Sequence, residues 1–521
     1  MESNVLLINL WNSLKYFGAF VPHENLGLAY IMKYMENNSV SCDLYDPVHD
    51  DLDRMSHELQ AMKREYKLIG ISLHDNNYKM LGELMPVLRK LYPGSHITLG
   101  GLFATFHAEK LLSDENPADS IIRGEGEESF YLLYKALNDE GGSQWKGCQS
   151  LCYLENGRLI RNEVGQRLDF AEIGYPDRVF IERYKLPKIH VNATRGCNKN
   201  CSFCSAVRFT RMIGGHRITC RTAEDIAGEV IEIYEKYYPF RKIEFVDDNF
   251  LANDICKERA KEFARLLISR KYTIPFRIDA CVEDIEYELF SLLKQAGLVE
   301  VLIGVESFSN RILKIYNKGI DGSQILKAVD ILNELKIHTR LGWIMFSPYI
   351  NIEDLRTNIK FLSEVKLFWY FTDLIGSLRL QHGTPMLEKV KKDKLMLEAF
   401  PYPGYRYQEE KIEKYYHLLM TDKFKKMILT AHSLTYKLWE HTEIEEYQHY
   451  IQLRLIFTQY MSDLLDLVEG SPQVDTELKN NLEKTFIARV ISKLGCFNKV
   501  RMVDNLELAN RYVNKTGSLS R

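Results

Sequence analysis

Apolar runs of strand length alternate with amphipathic stretches of helical period twice along this chain, and that alternation limits the fold more than any other feature. In the first series, residues 5–10, 40–45, 68–73, 97–99 and 120–122 read as strands. Helices are predicted at 26–34, 52–66, 78–91 and 127–137. Strands that alternate with helices imply parallel βαβ units and a doubly wound, Rossmann-like sheet. Ligands of such sheets sit outside the carboxyl ends of the strands. Those ends carry Ser72 and His74, then Gly100, Gly101 and Thr105, then Gly124, Glu125, Gly126 and Glu127. Glycine there either makes the turn or lets backbone approach a ligand closely.

The second series predicts six strands, at 189–193, 243–246, 276–280, 299–303, 339–345 and 372–380. Thr222 with Asp225 resembles a capping box, Ile226, Val230, Ile233, Tyr234 and Tyr237 form a helical stripe, and Gly297 is a helix stop. Six βα units suit a partial (β/α)6 barrel, whose chemistry gathers at the carboxyl ends of its strands. Asp248 and Asn249 follow the second strand, Arg277 lies in the third, and Glu306 and Ser307 follow the fourth. Between the two series, residues 148–163 alternate around Asn156-Gly157, a strong hairpin signal. From about 385 onward the pattern is helical and rich in aromatic residues, which suits a core. The expected organisation is an α/β chain with a Rossmann-like domain at 1–140, a hairpin and connector at 141–187, a barrel at 188–385 and a helical domain at 386–521.

Length and composition restrict the partners. A chain of 521 residues with 45% hydrophobic and 27% charged residues can bury several cores. Its net charge of -3 argues against nucleic acid as the main partner, since a phosphate-binding surface shows as basic excess. No run of ~18 apolar residues predicts a membrane span, and no cationic and apolar leader opens the sequence. The ten cysteines are scattered apart from one loop. Disulfides are therefore not expected, and a reducing cytoplasm fits the free thiols.

The exception is Arg195-Gly196-Cys197-Asn198-Lys199-Asn200-Cys201-Ser202-Phe203-Cys204, a polar loop that spaces three cysteines as CxxxCxxC. Thiolates favour soft metals, and this spacing lets Cys197, Cys201 and Cys204 converge on one centre. Structural zinc takes four protein ligands, and neither Cys220 nor His216 stands at finger-like spacing. Three thiolates suit an iron-sulfur cluster that leaves one iron open to an outside ligand.

With the aromatic Phe203 before its last cysteine, the loop resembles the cluster motif of radical S-adenosylmethionine enzymes. The glycine-bearing turns at 70–72, 100–105 and 124–127 resemble the cobalamin-binding domain fused ahead of some of them. The resemblance covers roughly residues 5–390. It implies a [4Fe-4S] cluster on Cys197, Cys201 and Cys204, and S-adenosylmethionine bound through Phe203, Asp248, Asn249, Arg277, Glu306 and Ser307. It also implies cobalamin near Ser72, His74, Gly100, Gly101, Thr105, Gly124 and Glu125. The DxHxxG motif that supplies a cobalt ligand elsewhere is absent, which the family tolerates by leaving the lower face of cobalt unligated or water-bound.

The implied reaction is methylation of an unactivated carbon or phosphorus. One S-adenosylmethionine methylates the cobalamin, and a second yields the 5′-deoxyadenosyl radical that activates a small-molecule or peptide substrate. An electron donor such as flavodoxin or ferredoxin would supply the reductant. Two alternatives stay open. One is a radical cyclase, oxidase, epimerase or rearrangement enzyme without methyl transfer; the other is a non-catalytic cobalamin or iron-sulfur sensor. A methylthiotransferase is disfavoured, because no second three-cysteine loop is present.

Overall fold

The computed structural model describes residues 4–10, 24–113, 118–139, 144–213, 218–435, 444–470 and 475–495; His216 lies outside them. The chain divides into two compact units, 1–198 with 205–276, and 199–204 with 277–521.

The first unit opens with β1 (Val5–Asn9), α1 (Leu26–Asn37), β2 (Asp43–Tyr45), α2 (Leu52–Ala61), β3 (Leu68–Ser72) and α3 (Tyr78–Leu91). It continues with β4 (His96–Gly100), α4 (Leu102–Phe106), α5 (Ala108–Ser113), β5 (Ser120–Ile122), α6 (Glu127–Asn138), β6 (Leu151–Glu155) and β7 (Arg158–Arg161). These strands make one sheet in the order β2-β1-β3-β4-β5-β6-β7. The first five are mutually parallel, and β6 and β7 add an antiparallel hairpin. A continuous apolar run such as Val5–Ile8 is what a strand covered on both faces requires. Accordingly Leu6 and Ile8 enter one core and Val5 and Leu7 the other. Asn156 and Gly157 both have positive φ, as a tight two-residue hairpin turn demands.

The unit then adds α7 (Phe170–Ile173), α8 (Val179–Tyr184), β8 (Lys188–Val191), β9 (Thr194–Arg195), α9 (Ser205–Met212), β10 (Thr219–Cys220), α10 (Ala223–Tyr237), β11 (Lys242–Phe245) and α11 (Asp254–Ser269). β11 pairs with β8 in parallel, and β10 with β9 antiparallel. Here one expectation fails. Cys220 of β10 is disulfide-bonded to Cys256 of α11, with Cα atoms 6.4 Å apart. The partners are 36 residues apart in sequence and only the tertiary path joins them: β10 is fixed by β9, and Asn253 caps the first turn of α11 at the Cys256 N–H.

In the second unit follow β12 (Phe276–Ala280), α12 (Tyr287–Ala296), β13 (Leu298–Glu306), α13 (Asn310–Ile315), α14 (Gly322–Glu334), β14 (His338–Trp343), α15 (Ile352–Glu364) and α16 (Pro385–Lys392). β13 pairs with β14 in parallel. The sixth predicted strand, 372–380, is not formed. Phe371–Ile375 is a 3-10 turn, because the Asp373 carboxylate accepts the Tyr370 N–H and closes a cap, and only a single parallel bridge, Phe346 to Ser377, remains. The short antiparallel pair β15 (Met396–Leu397) and β16 (Gly404–Tyr405) precedes α17 (Glu410–Leu419), α18 (Asp422–Thr435), α19 (Ile444–Gly470) and α20 (Thr476–Leu494). Tyr407, Tyr415, Tyr450 and Phe457 are buried in this part of the chain, whereas Phe400 is exposed and Tyr402, Tyr405 and Tyr416 are half-buried, so only part of the aromatic stretch is core. Among the described residues no helix is long and apolar enough to cross a membrane.

Candidate functional site

Within the first unit the carboxyl ends of β3, β4 and β5 border a cavity of about 320 Å³. Ser72, Gly100, Gly101, Gly124 and Glu125, all singled out from sequence, lie on its wall. A Cβ added at Gly100 would meet nothing within 4 Å, so that position faces open space. Gly101 serves the turn: its φ is +100°, and a Cβ there would stand 2.9 Å from the Leu73 carbonyl oxygen. Thr105 supports the wall from behind, its hydroxyl accepting the Gly124 N–H at 3.2 Å. His74 is exposed, and its backbone N–H donates to Asn77. Asn25, which sequence reasoning missed, donates to Ser72 Oγ at 3.1 Å and to Asn9 Oδ1 at 2.8 Å while its own oxygen caps α1. The described lining contains no histidine, cysteine or methionine.

One side of the cavity carries paired charges. Arg167 Nε donates to Glu125 Oε1 at 2.6 Å, Arg195 Nη1 to Glu125 Oε2 at 3.1 Å, and Arg195 Nη2 to Glu127 Oε1 at 2.6 Å. Arg167 Nη1 also donates to the Arg195 carbonyl at 3.0 Å. The Arg195 guanidinium lies over the rings of Tyr30 (4.9 Å) and Phe170 (5.1 Å). Burial alone would lower its proton affinity, but Glu127 and Glu125 more than reverse that.

Three residues after β11 divide their tasks. Asp247 is buried and accepts the Ala193 N–H at 2.8 Å; desolvation pushes its pKa up to about 6 against the pull of Arg259. Asn249 turns its side-chain oxygen to the Leu251 N–H at 3.1 Å. Asp248 is exposed and lines the cavity. Desolvation raises its pKa, Arg167 draws it back, and Glu125 raises it again.

In the second unit the loop 199–204 is tied down by its backbone. The Ser202 N–H donates to the Tyr316 carbonyl and its hydroxyl to Ile315, at 2.8 and 2.9 Å, while the Met386 N–H donates to the Ser202 carbonyl at 2.8 Å. Asn317 donates to the Asn200 carbonyl, Lys199 pairs with Glu283 at 2.7 Å, and Phe203 packs edge-on against Tyr316. Glu306 ends β13 just after a bulge at Gly304, with φ +65°. Its carboxylate lies 3.4 Å from the buried Lys318 ammonium. Desolvation lowers the Lys318 pKa, but Glu306 together with the Cys201 and Cys281 sulfurs turns the net shift upward. Ser307 is committed to Asn358 at 3.0 Å and to the Ser309 N–H, and Arg277 to Asp279 at 2.6 Å and Glu300 at 3.3 Å.

Cys197, Cys201 and Cys204 are all half-buried. The Cys204 N–H donates to the Cys201 carbonyl, so these two share one turn. Among the described residues no three His, Cys, Asp or Glu side chains stand in metal-holding geometry. Three thiols in one short loop are nonetheless a donor set that suits an iron-sulfur cluster, and the cavity is open beyond Gly100.

Comparison with known families decides the identity of the two parts. The model of the radical SAM superfamily matches residues 191–362, and that of the B12 binding domain matches residues 19–133. This chain is a cobalamin-dependent radical S-adenosylmethionine enzyme. A [4Fe-4S] cluster, S-adenosylmethionine and cobalamin are the cofactors of its two domains. The enzyme is 28% identical over 350 residues to an uncharacterized methyltransferase of Pyrococcus horikoshii, covering 66% of this chain and 73% of that one. It is 24% identical over 320 residues to the anaerobic magnesium-protoporphyrin IX monomethyl ester cyclase of Synechocystis, covering 60% of this chain and 61% of the cyclase. Its fold is similar to that of the cobalamin-dependent S-adenosylmethionine radical enzyme OxsB with aqua-cobalamin bound, at a TM-score of 0.79 and 17% identity, over 97% of this chain and 84% of that one.

Proposed function

We propose that this enzyme methylates an unactivated carbon or phosphorus of a small-molecule or peptide substrate. The observation that carries the reading is the cavity: its described lining offers cobalt no histidine, cysteine or methionine, and Gly100, Gly101 and Gly124 stand on its wall. Such a wall would hold cobalamin without tying it to a protein side chain, which suits a methyl carrier. The P. horikoshii relative, named a methyltransferase, supports it.

When bound, the cluster with S-adenosylmethionine supplies an adenosyl radical and cobalamin a transferable methyl group. The chain's own residues bind and orient. Cys197, Cys201 and Cys204 hold the cluster, and Ser202 and Asn200 fix the backbone between them through Tyr316, Ile315 and Asn317. Glu306 offers a carboxylate to the cationic end of S-adenosylmethionine, and Lys318 holds that carboxylate in place. Phe203, Arg277, Ser307, Asp248 and Asn249 complete the proposed nucleotide contacts. Ser72, Gly100, Gly101, Gly124 and Glu125 form the cobalamin wall, with Thr105 and His74 behind and beside it. A flavodoxin or ferredoxin as electron donor and a cytoplasmic setting belong to the same reading.

The cyclase relative favours a second reading, radical ring closure without methyl transfer. Anaerobic incubation of the reconstituted enzyme with hydroxocobalamin, a one-electron reductant and methyl-labelled S-adenosylmethionine separates the two. Labelled methylcobalamin with S-adenosylhomocysteine supports methylation; 5′-deoxyadenosine formed without either points to the cyclase-like reaction.

A further inference from the structure

The sequence stretch Gly124-Glu125-Gly126-Glu127 borders the cavity, and Arg195 stands two residues before Cys197. The geometry points to a coupling device: Glu125, Glu127 and Arg167 form a clamp on Arg195 that transmits occupation of the cobalamin cavity to the root of the cluster loop.

Five observations support it. The Arg195 guanidinium spans two carboxylates on one short segment, through Nη1 to Glu125 and Nη2 to Glu127. Arg167 grips the same segment and the Arg195 main chain together, one nitrogen on Glu125 and another on the Arg195 carbonyl. All four clamp residues and Gly196 line the cavity, so a group that fills it bears on the clamp directly. The remaining faces of the Arg195 guanidinium are closed by Tyr30 and Phe170, which leaves the side chain few alternative positions. Glu127 also opens α6, where the helix end favours a negative charge and holds the carboxylate in place. A charge network with so few degrees of freedom acts as one body, and movement of the 124–127 segment by a bound group must carry Arg195 with it.

The clamp rests on the two-cofactor identity but not on methyl transfer, and its test reads neither methylation nor turnover. Anaerobically reconstituted full-length enzyme is titrated with S-adenosylmethionine, with and without saturating hydroxocobalamin. The readouts are the electron paramagnetic resonance signal of the dithionite-reduced cluster and the dissociation constant for S-adenosylmethionine. In the unaltered enzyme hydroxocobalamin is expected to change the signal and to shift that constant about threefold or more, with the reciprocal shift in hydroxocobalamin affinity. Glu127→Gln, which keeps the shape but halves the clamp, is expected to bind both cofactors and to lose the mutual shift. Arg195→Lys reaches only one carboxylate and decides the matter if Glu127→Gln fails to fold: loss of the shift with retained iron supports the clamp. Absence of the shift in the unaltered enzyme, its persistence in a folded variant, or failure of both variants to hold iron overturns the proposal, whether or not the enzyme proves to be a methylase.

Discussion

A Cβ added at Gly100 in the first unit meets nothing within 4 Å, whereas one added at Gly304 in the second would stand 2.9 Å from the Lys318 ammonium and 3.0 Å from Glu306. In the first unit glycine opens a cavity by withholding side chains, and the charges at its edge are spent on one another. In the second, glycine makes room for a buried ion pair. Geometry therefore dominates one site and electrostatics the other. Substitutions that add bulk should damage the first selectively, and those that remove charge the second.

The largest effect falls on the cluster loop. Cys201→Ala removes one of three thiols and is expected to lower reductive cleavage of S-adenosylmethionine by about 100-fold or more, since metal ligands act as a unit. Iron content, 5′-deoxyadenosine release and far-ultraviolet circular dichroism check it, and an unchanged 5′-deoxyadenosine rate would refute the ligand assignment.

Glu306→Gln comes next. It strands the buried Lys318 cation, an uncompensated charge that costs roughly 3–5 kcal/mol. Urea denaturation should show that loss, and calorimetry a weaker S-adenosylmethionine affinity. Because the Lys318 pKa is raised in the fold, its stabilising pairing is complete below the ordinary lysine value. The loss should therefore be flat through neutral pH and disappear only in strong alkali, as the pH rises through the folded pKa.

The two neighbouring glycines sharpen the contrast within the first unit. Gly101→Ala forces a positive φ and a contact with the Leu73 carbonyl, and is expected to cost about 1–3 kcal/mol. Gly100→Leu should change stability by less than about 1 kcal/mol yet displace cobalamin, because its side chain enters open space. Denaturation midpoints and cobalt per chain measure both. A Gly100→Leu enzyme that retains cobalt would remove that wall from the cofactor site.

The smallest effect concerns Asp373, whose pKa is pushed up to about 7 by desolvation, against the Tyr370 N–H and Arg340. The folded state then holds a proton that the unfolded chain releases near pH 4, so stability falls as pH rises from about 4 to 7. Asp373→Asn keeps an oxygen for the Tyr370 N–H and should flatten that slope, leaving the variant the more stable above neutral pH. An unaltered slope of unfolding free energy against pH would show that the carboxylate is ionised throughout.

Much of the molecule was legible in advance where the signal is local. The helix predicted at 78–91 forms as α3, the Asn156-Gly157 turn closes the β6–β7 hairpin, and the strand ends at Ser72, Gly100 and Gly124 face the cavity. The sixth strand was misread because apolar content in 372–380 resembles a strand, while one cap from Asp373 to Tyr370 is enough to turn the chain. Arg167 carried no signal at all.

By itself the sequence determined the alternation of strands and helices, the cysteine spacing and the glycines at the strand ends, because periodicity and turn chemistry act over a few residues. Only the tertiary structure decided that Cys220 meets Cys256, that Arg167 and Arg195 share Glu125, and that Lys318 is the cation beside Glu306. Those pairings join residues that are neighbours only after the chain has folded, and partners brought together by topology leave no periodic trace in the order of the residues.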